Sequence, residues 1–144
     1  MNTEYIRKVQ YHETDRMGIT HHSNYIKWME EARISFLDRA GYNYARLEEE
    51  GILSPVIGVE CQYKHPTTFD DTVRVTVGVE AFKGARLTIC YEMVNAHTGA
   101  LVLTGRTMHC FTGADGRPIL LRKKCPELAA IFERMAQERG AQPE

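Results

Sequence analysis

The sequence predicts an α+β fold in which a curved antiparallel sheet wraps around one long central helix. Three observations carry that prediction. One long amphipathic period begins at Ser23. Period-two segments follow it from about Val59 to Thr112. Turn signals separate those segments at Lys83-Gly84, Asn95 to Gly99 and Asp115-Gly116.

Taken in order, the residues around Tyr5 to Tyr11 read as a first, weakly patterned strand. From Ser23 onward, Tyr25, Met29, Ala32, Phe36, Leu37 and Ala40 recur at three- and four-residue steps, while Lys27, Glu30, Glu31, Asp38 and Arg39 fill the opposite side. Ser23 or Asn24 is placed to cap this helix, and Gly41 stands where a C-terminal glycine belongs. A short helix is expected over Tyr44 to Glu50, closed by Gly51. Then the period becomes two. Val59, Cys61 and Tyr63 alternate with polar residues, as do Val73, Val75, Val77 and Val79, and again Leu87, Ile89, Tyr91 and Met93. A last long strand covers about Leu101 to Thr112. Such alternation describes antiparallel strands with one buried and one wet face. A terminal amphipathic helix from Pro126 to about Arg139 carries Leu128, Ile131, Phe132 and Met135. An open sheet of this kind keeps edge strands, so edge-to-edge dimerisation is expected.

Composition narrows the function. The 144 residues form one domain, 1–144, with 43% apolar and 26% charged residues and a formal net charge of −1. That balance argues against a nucleic-acid partner or membrane insertion. No apolar run approaches the ~20 residues a membrane helix needs, and Met1 to Tyr5 lacks the order of a signal peptide. The four cysteines, Cys61, Cys90, Cys110 and Cys125, are widely spaced without a C-x-x-C pair. They read as reduced apolar residues, which gives a cytoplasmic location and no metal or other cofactor.

Chemistry concentrates between Tyr11 and Tyr25. This stretch joins a strand end, the carboxylate of Asp15, a bend at Gly18 and the mouth of the long helix. Free N–H groups at a helix N-terminus attract developing negative charge. A carboxylate is ionised at neutral pH and can attack a carbonyl or take a proton from water. Gly18 lets the chain bend sharply between carboxylate and helix. Alone, Asp15 reads as an ordinary turn residue, and His21-His22 reads as a polar pair with no third metal ligand. Asp70-Asp71 reads as a turn leading into a strand. Tyr25 and Trp28 could line a binding pocket, but aromatic residues at helical spacing are more often core. Arg122-Lys123-Lys124 is a basic cluster that could meet phosphates.

The segment Thr14-Asp15-x-x-Gly18-Ile19-x-x-His22-x-Asn24-Tyr25, with Trp28 and Glu30-x-Ala32-Arg33 beyond it, resembles the signature of hot-dog-fold acyl-CoA thioesterases. The resemblance is nearest to the 4-hydroxybenzoyl-CoA thioesterase-like group that includes the Tol-Pal-associated thioesterases. It extends to Tyr63-x-x-Pro66 and Phe69-Asp70-Asp71. It implies an acyl-CoA thioesterase in which Asp15 is nucleophile or general base and the backbone N–H at His22 polarises the thioester carbonyl. It also implies substrate contacts around Gly18, His21, Asn24 and Tyr25, and a homodimer or tetramer with sites between subunits. Two residues depart from the pattern. Arg16 is a long cation where relatives often carry a small or neutral residue, placed either to alter the pocket rim or to pair with Asp15 or Glu13. His21 stands where several relatives have an aromatic. Hot-dog hydratases use a histidine with a Pro-Gly segment that this chain lacks. The alternative of another class is a non-catalytic protein that binds acyl-CoA or acyl carrier protein thioesters.

Overall fold

The computed structural model describes residues 4–141. The ends of the expected domain, residues 1–3 and 142–144, lie outside the described residues, and with them most of the Met1 to Tyr5 segment.

The long amphipathic period forms α1, Ser23–Arg39. It ends as its glycine requires: Gly41 takes φ +91°, and the Tyr42 and Gly41 N–H groups donate to Leu37 O and Asp38 O, the paired bonds of a Schellman stop. A short α2, Tyr44–Glu49, follows, its first turn capped by Asn43 Oδ1 accepting from Ala45 N at 2.7 Å.

The strands β1 (Glu4–Lys8), β4 (Thr72–Phe82), β5 (Arg86–Asn95), β6 (Leu101–Cys110) and β3 (Val56–Tyr63) form one antiparallel sheet in that spatial order. Two-residue strands β2 (Ile52–Leu53) and β7 (Thr112–Gly113) pair beside it. The first strand is shorter than Tyr5 to Tyr11, because the chain turns into a 3₁₀ segment at Tyr11–Glu13. Bulges interrupt the register at Val79/Ala81, Met93/Val94 and Val56/Gly58, and bulges bend the strands that carry them.

Helix α1 lies on the face presented by Val73, Val75, Val77, Val79, Ile89, Met93 and Leu103, burying Trp28, Met29, Ala32 and Phe36 against them. Each such apolar side chain removed from water contributes about 1.5–3 kcal/mol. This is the helix-in-sheet arrangement that the alternation and the single long helix predicted. The C-terminal helices α3 (Leu121–Lys124) and α4 (Pro126–Ala141) close the far end of the core, where Phe132 meets Phe82 and Phe111 with ring centroids 5.6 and 6.2 Å away.

One strand departs from expectation. Val59, Cys61 and Tyr63 pair with Thr107, Gly105 and Leu103, so they share the helix-side face. Yet Val59 is 40% and Tyr63 51% exposed. The helix packs closely as far as β6, where Met29 Cε lies 2.5 Å from an ideal Cβ position on Gly105, and reaches β3 through the Tyr25 ring beside Tyr63. β3 is therefore an edge strand whose apolar side is incompletely covered among the described residues, and the exposed Val56 and Ile57 add to its apolar surface.

Candidate active site

Between β1 and α1 the chain makes a small closed loop. Thr14 and Thr20 bridge each other, and Asp15 N donates to Ile19 O at 2.9 Å. Inside it, Gly18 N returns to Asp15 O at 2.9 Å with Gly18 at φ +79°, a conformation glycine adopts without penalty. Asp15 is half-buried. Its Oδ1 accepts from Met17 N at 2.9 Å, which stiffens the turn, and among the described residues its Oδ2 has no partner. Arg16 pairs with neither Asp15 nor Glu13, contrary to one of the two sequence expectations for it. It is exposed, and the position beside Glu13 is filled by Arg7.

The loop leads directly to the mouth of α1. Where the sequence puts the cap at Ser23 or Asn24, the structure puts His22 there, with φ −57° and ψ −26° and no side-chain cap bond. The ring of His21 substitutes: its Nδ1 accepts from Ser23 N at 3.3 Å and lies 2.8 Å from Ser23 Oγ. Asn24 N and Tyr25 N donate back to His21 O and His22 O. The His22 N–H alone among these has no acceptor among the described residues. It is an unused donor at the positive end of a 17-residue helix.

The remaining motif residues build the walls. Asn24 is buried, and its Nδ2 donates to Glu13 O at 2.9 Å and His21 O at 3.2 Å. Tyr25 is also buried; its hydroxyl lies 3.0 Å from Thr67 Oγ1, which in turn lies 2.6 Å from Thr20 Oγ1. Thus Asn24 and Tyr25 tie the loop to the helix, while Gly18 and His21 are exposed at the mouth. His21 and His22 stack at 4.4 Å, and Tyr63 approaches both His22 and Tyr25, at 6.2 and 5.8 Å between centroids. Trp28 is core, with its ring edge-on to Tyr25.

Beneath this mouth lies a group the sequence analysis did not single out. Glu13 is 3% exposed, yet its carboxylate accepts four hydrogen bonds: from Arg7 Nη1 and Nη2 at 3.0 and 2.9 Å, Gln10 N at 2.8 Å and Trp28 Nε1 at 2.9 Å. Arg7 also meets Glu31 at 2.9 Å. Burial opposes the Arg7 charge, but Glu31 and Glu13 more than offset it, and its pKa is raised. Removing one partner of such a buried pair costs about 3–5 kcal/mol. The signal that would have found it was a carboxylate beside Thr14-Asp15, six residues after an arginine.

Two other features lie elsewhere. Arg122-Lys123-Lys124 forms α3, tied by Leu121 N to Gly84 O at the β4–β5 turn. The Asp15 loop is tied through Thr20 to Thr67, just before β4 begins, so the 11 residues of β4 put roughly 30 Å between them. A broad depression of about 1060 Å³ opens on the sheet face away from α1, between Glu60, Arg106, Glu80, Cys90 and Arg139, and includes none of the motif residues. Among the described residues no group of three or more His, Cys, Asp or Glu could hold a metal, and no helix is long and apolar enough to cross a membrane. All four cysteines are free thiols.

Comparison with known proteins identifies the family and the fold. A thioesterase-like superfamily model matches residues 9–137. YneP of Bacillus subtilis, named as a candidate acyl-CoA thioesterase, is 33% identical over 88% of this chain and 92% of its own. The acyl-CoA thioester hydrolase YbgC of Escherichia coli is 27% identical over 70% of this chain and 78% of its own. Among solved structures, a DHNA-CoA thioesterase from Staphylococcus aureus superposes with a TM-score of 0.91 at 30% identity, covering 98% of this chain and 95% of that one. With the family model spanning nearly the whole chain and the fold matching from end to end, the chain belongs to the thioesterase-like superfamily and has the hot-dog fold.

Proposed function

We propose that this thioester hydrolase cleaves an acyl-CoA to free acid and CoA, using Asp15 as nucleophile or general base and the His22 backbone N–H as donor to the thioester carbonyl. One observation carries the reading: among the described residues the His22 N–H has no acceptor, and it stands a short loop away from a half-buried carboxylate with one oxygen that has no partner among them. Relatives named as acyl-CoA thioesterases support the substrate class.

The sequence of events follows from charge. As Asp15, or water activated by it, reaches the carbonyl carbon, negative charge grows on the carbonyl oxygen. A fixed N–H at a helix mouth stabilises that charge without reorganising, an effect worth about 3–4 kcal/mol per donor. The CoA thiolate leaves without a strong acid. Gly18 and His21 would meet the substrate, and Asn24 and Tyr25 would shape its pocket from beneath. The exposed strip on β3 supports a homodimer joined through that edge, or a tetramer of two such dimers, with the partner covering Val59 and Tyr63. A cytoplasmic location fits the four free thiols.

The test is a panel of aliphatic and aromatic acyl-CoA thioesters with release of free thiol as the readout. Turnover of at least one with kcat/KM above about 10⁴ M⁻¹s⁻¹ is the expected result. Tight binding across the panel with no thiol release would reject hydrolysis and favour an acyl-binding protein.

A further inference from the structure

We infer that Glu13 is a positioning residue for this site, holding Asp15 and the His22 N–H in register through a buried carboxylate shared by β1 and α1. The inference rests on the hydrolase reading of Asp15 and His22 and extends it to a residue that reading does not use.

Glu13 is joined to three separate parts of the site by both its side chain and its main chain. Its carboxylate is gripped from β1 by Arg7 and from α1 by Trp28 Nε1, with Gln10 N closing the turn between them. Its carbonyl oxygen receives His21 N at 2.8 Å and Asn24 Nδ2 at 2.9 Å. His21 immediately precedes His22, and Asp15 lies two residues beyond Glu13. A displacement of Glu13 therefore moves the carboxylate loop and the donor at the helix mouth relative to each other. Arg7 runs alongside this tie, bonding Glu13 and Glu31 from β1, but it does not bond His21 or Asn24 at the helix mouth. The tie is also rigid, since a 3%-exposed carboxylate with four donors has no alternative partner in water.

Glutamine at this position keeps the shape but replaces one acceptor oxygen with an NH₂ that faces donors. It leaves Arg7 with Glu31 as its remaining carboxylate. Site geometry must then relax. A displacement near 1 Å is worth about 100-fold in turnover where attack geometry matters.

The experiment compares Glu13→Gln, Trp28→Phe and the double variant with wild type, using benzoyl-CoA and octanoyl-CoA as probes. Glu31→Gln serves as a control that weakens the Arg7 network without touching Trp28 or His21. Circular dichroism and light scattering first establish which variants are folded and of native size. The expected result is a kcat loss of about 10- to 100-fold in Glu13→Gln with KM within about threefold. Trp28→Phe should show a smaller loss, and the double variant a loss no greater than Glu13→Gln alone, because both substitutions break one contact. Glu31→Gln should lose thermal stability and retain kcat. Losses that multiply in the double variant, or an equal kcat loss in Glu31→Gln, would reduce Glu13 to a structural role and overturn the inference. If Glu13→Gln does not fold, Trp28→Phe decides: full kcat there overturns it.

A crystal structure of Trp28→Phe provides a readout independent of substrate. Asp15 and His22 N superposing on wild type within about 0.5 Å would also overturn the inference. Asp15→Ala run in parallel separates the two claims. Activity in Asp15→Ala sinks the hydrolase reading itself, whereas an inactive Asp15→Ala beside a fully active Glu13→Gln sinks the positioning role alone.

Discussion

Acid should destabilise this protein through a histidine remote from the loop chemistry. His109 on β6 is 1% exposed, and its Nε2 lies 2.8 Å from Thr107 Oγ1. Thr107 Oγ1 in turn lies 2.6 Å from the Tyr91 hydroxyl, which accepts from Arg33 at 3.1 Å. Burial disfavours the imidazolium, the nearby Arg33 charge disfavours it further, and a hydrogen bond with the main chain at Ser54 offsets only part of this. Its pKa is pushed down from 6.5 to about 4. The folded state thus binds this proton less readily than the unfolded chain. The stabilisation is complete above pH 6.5 and is lost as pH falls towards 4.

At 1.36 kcal/mol per pKa unit the full effect is about 3 kcal/mol, of which about 2 kcal/mol is gone by pH 5. Urea titrations of wild type and His109→Gln at pH 7 and pH 5 isolate it. Carboxylate titrations are common to both proteins and cancel in the difference. The stability gap between them should shrink by about 2 kcal/mol at the lower pH. The His109 ring carbon shift, followed by NMR, should not move above pH 5. A gap that is unchanged between the two pH values, or a ring that titrates near 6.5, would refute the reasoning.

Two further outcomes follow from packing. Gly105→Ala places a methyl 2.5 Å from Met29 Cε and 2.8 Å from Glu60 O; the sulfur side chain can move but the β3 backbone cannot easily, so thermal melting should show a loss of about 1–3 kcal/mol. A melting temperature equal to wild type would mean that β3 is not held where it is described. Val59→Asp puts a charge in the exposed β3 strip, and if β3 is the proposed dimer edge the variant should run as a folded monomer beside a dimeric wild type in size-exclusion light scattering. A mass equal to that of wild type would refute β3 as the joining edge.

How much of this was readable in advance depended on how local each cause is. The long helix, the valine run of β4 and the Gly41 stop follow from contacts within four residues or from a backbone angle, and periodicity reports both. The bend at Gly18 beside Asp15 was legible because a tight loop writes its backbone demands into adjacent residues. The exposure of Val59 and Tyr63 was not, because it is decided by how much of β3 the helix covers beyond Gly105, a packing fact between segments. The role of His21 as surrogate cap was hidden for a related reason: Ser23 has the right chemistry one residue too late for the observed helix start. The buried grip on Glu13 was the largest omission near the loop. Its partners stand six residues before and fifteen after it, on a strand and a helix, and no period connects them.

The central claim is that Asp15 performs the chemistry opposite the His22 donor. Turnover of the best acyl-CoA substrate by Asp15→Asn, a change that keeps an acceptor for Met17 N, tests it most directly. The account predicts a folded protein of native size and melting temperature whose kcat falls by at least about 100-fold. A folded Asp15→Asn protein with kcat within threefold of wild type would contradict it.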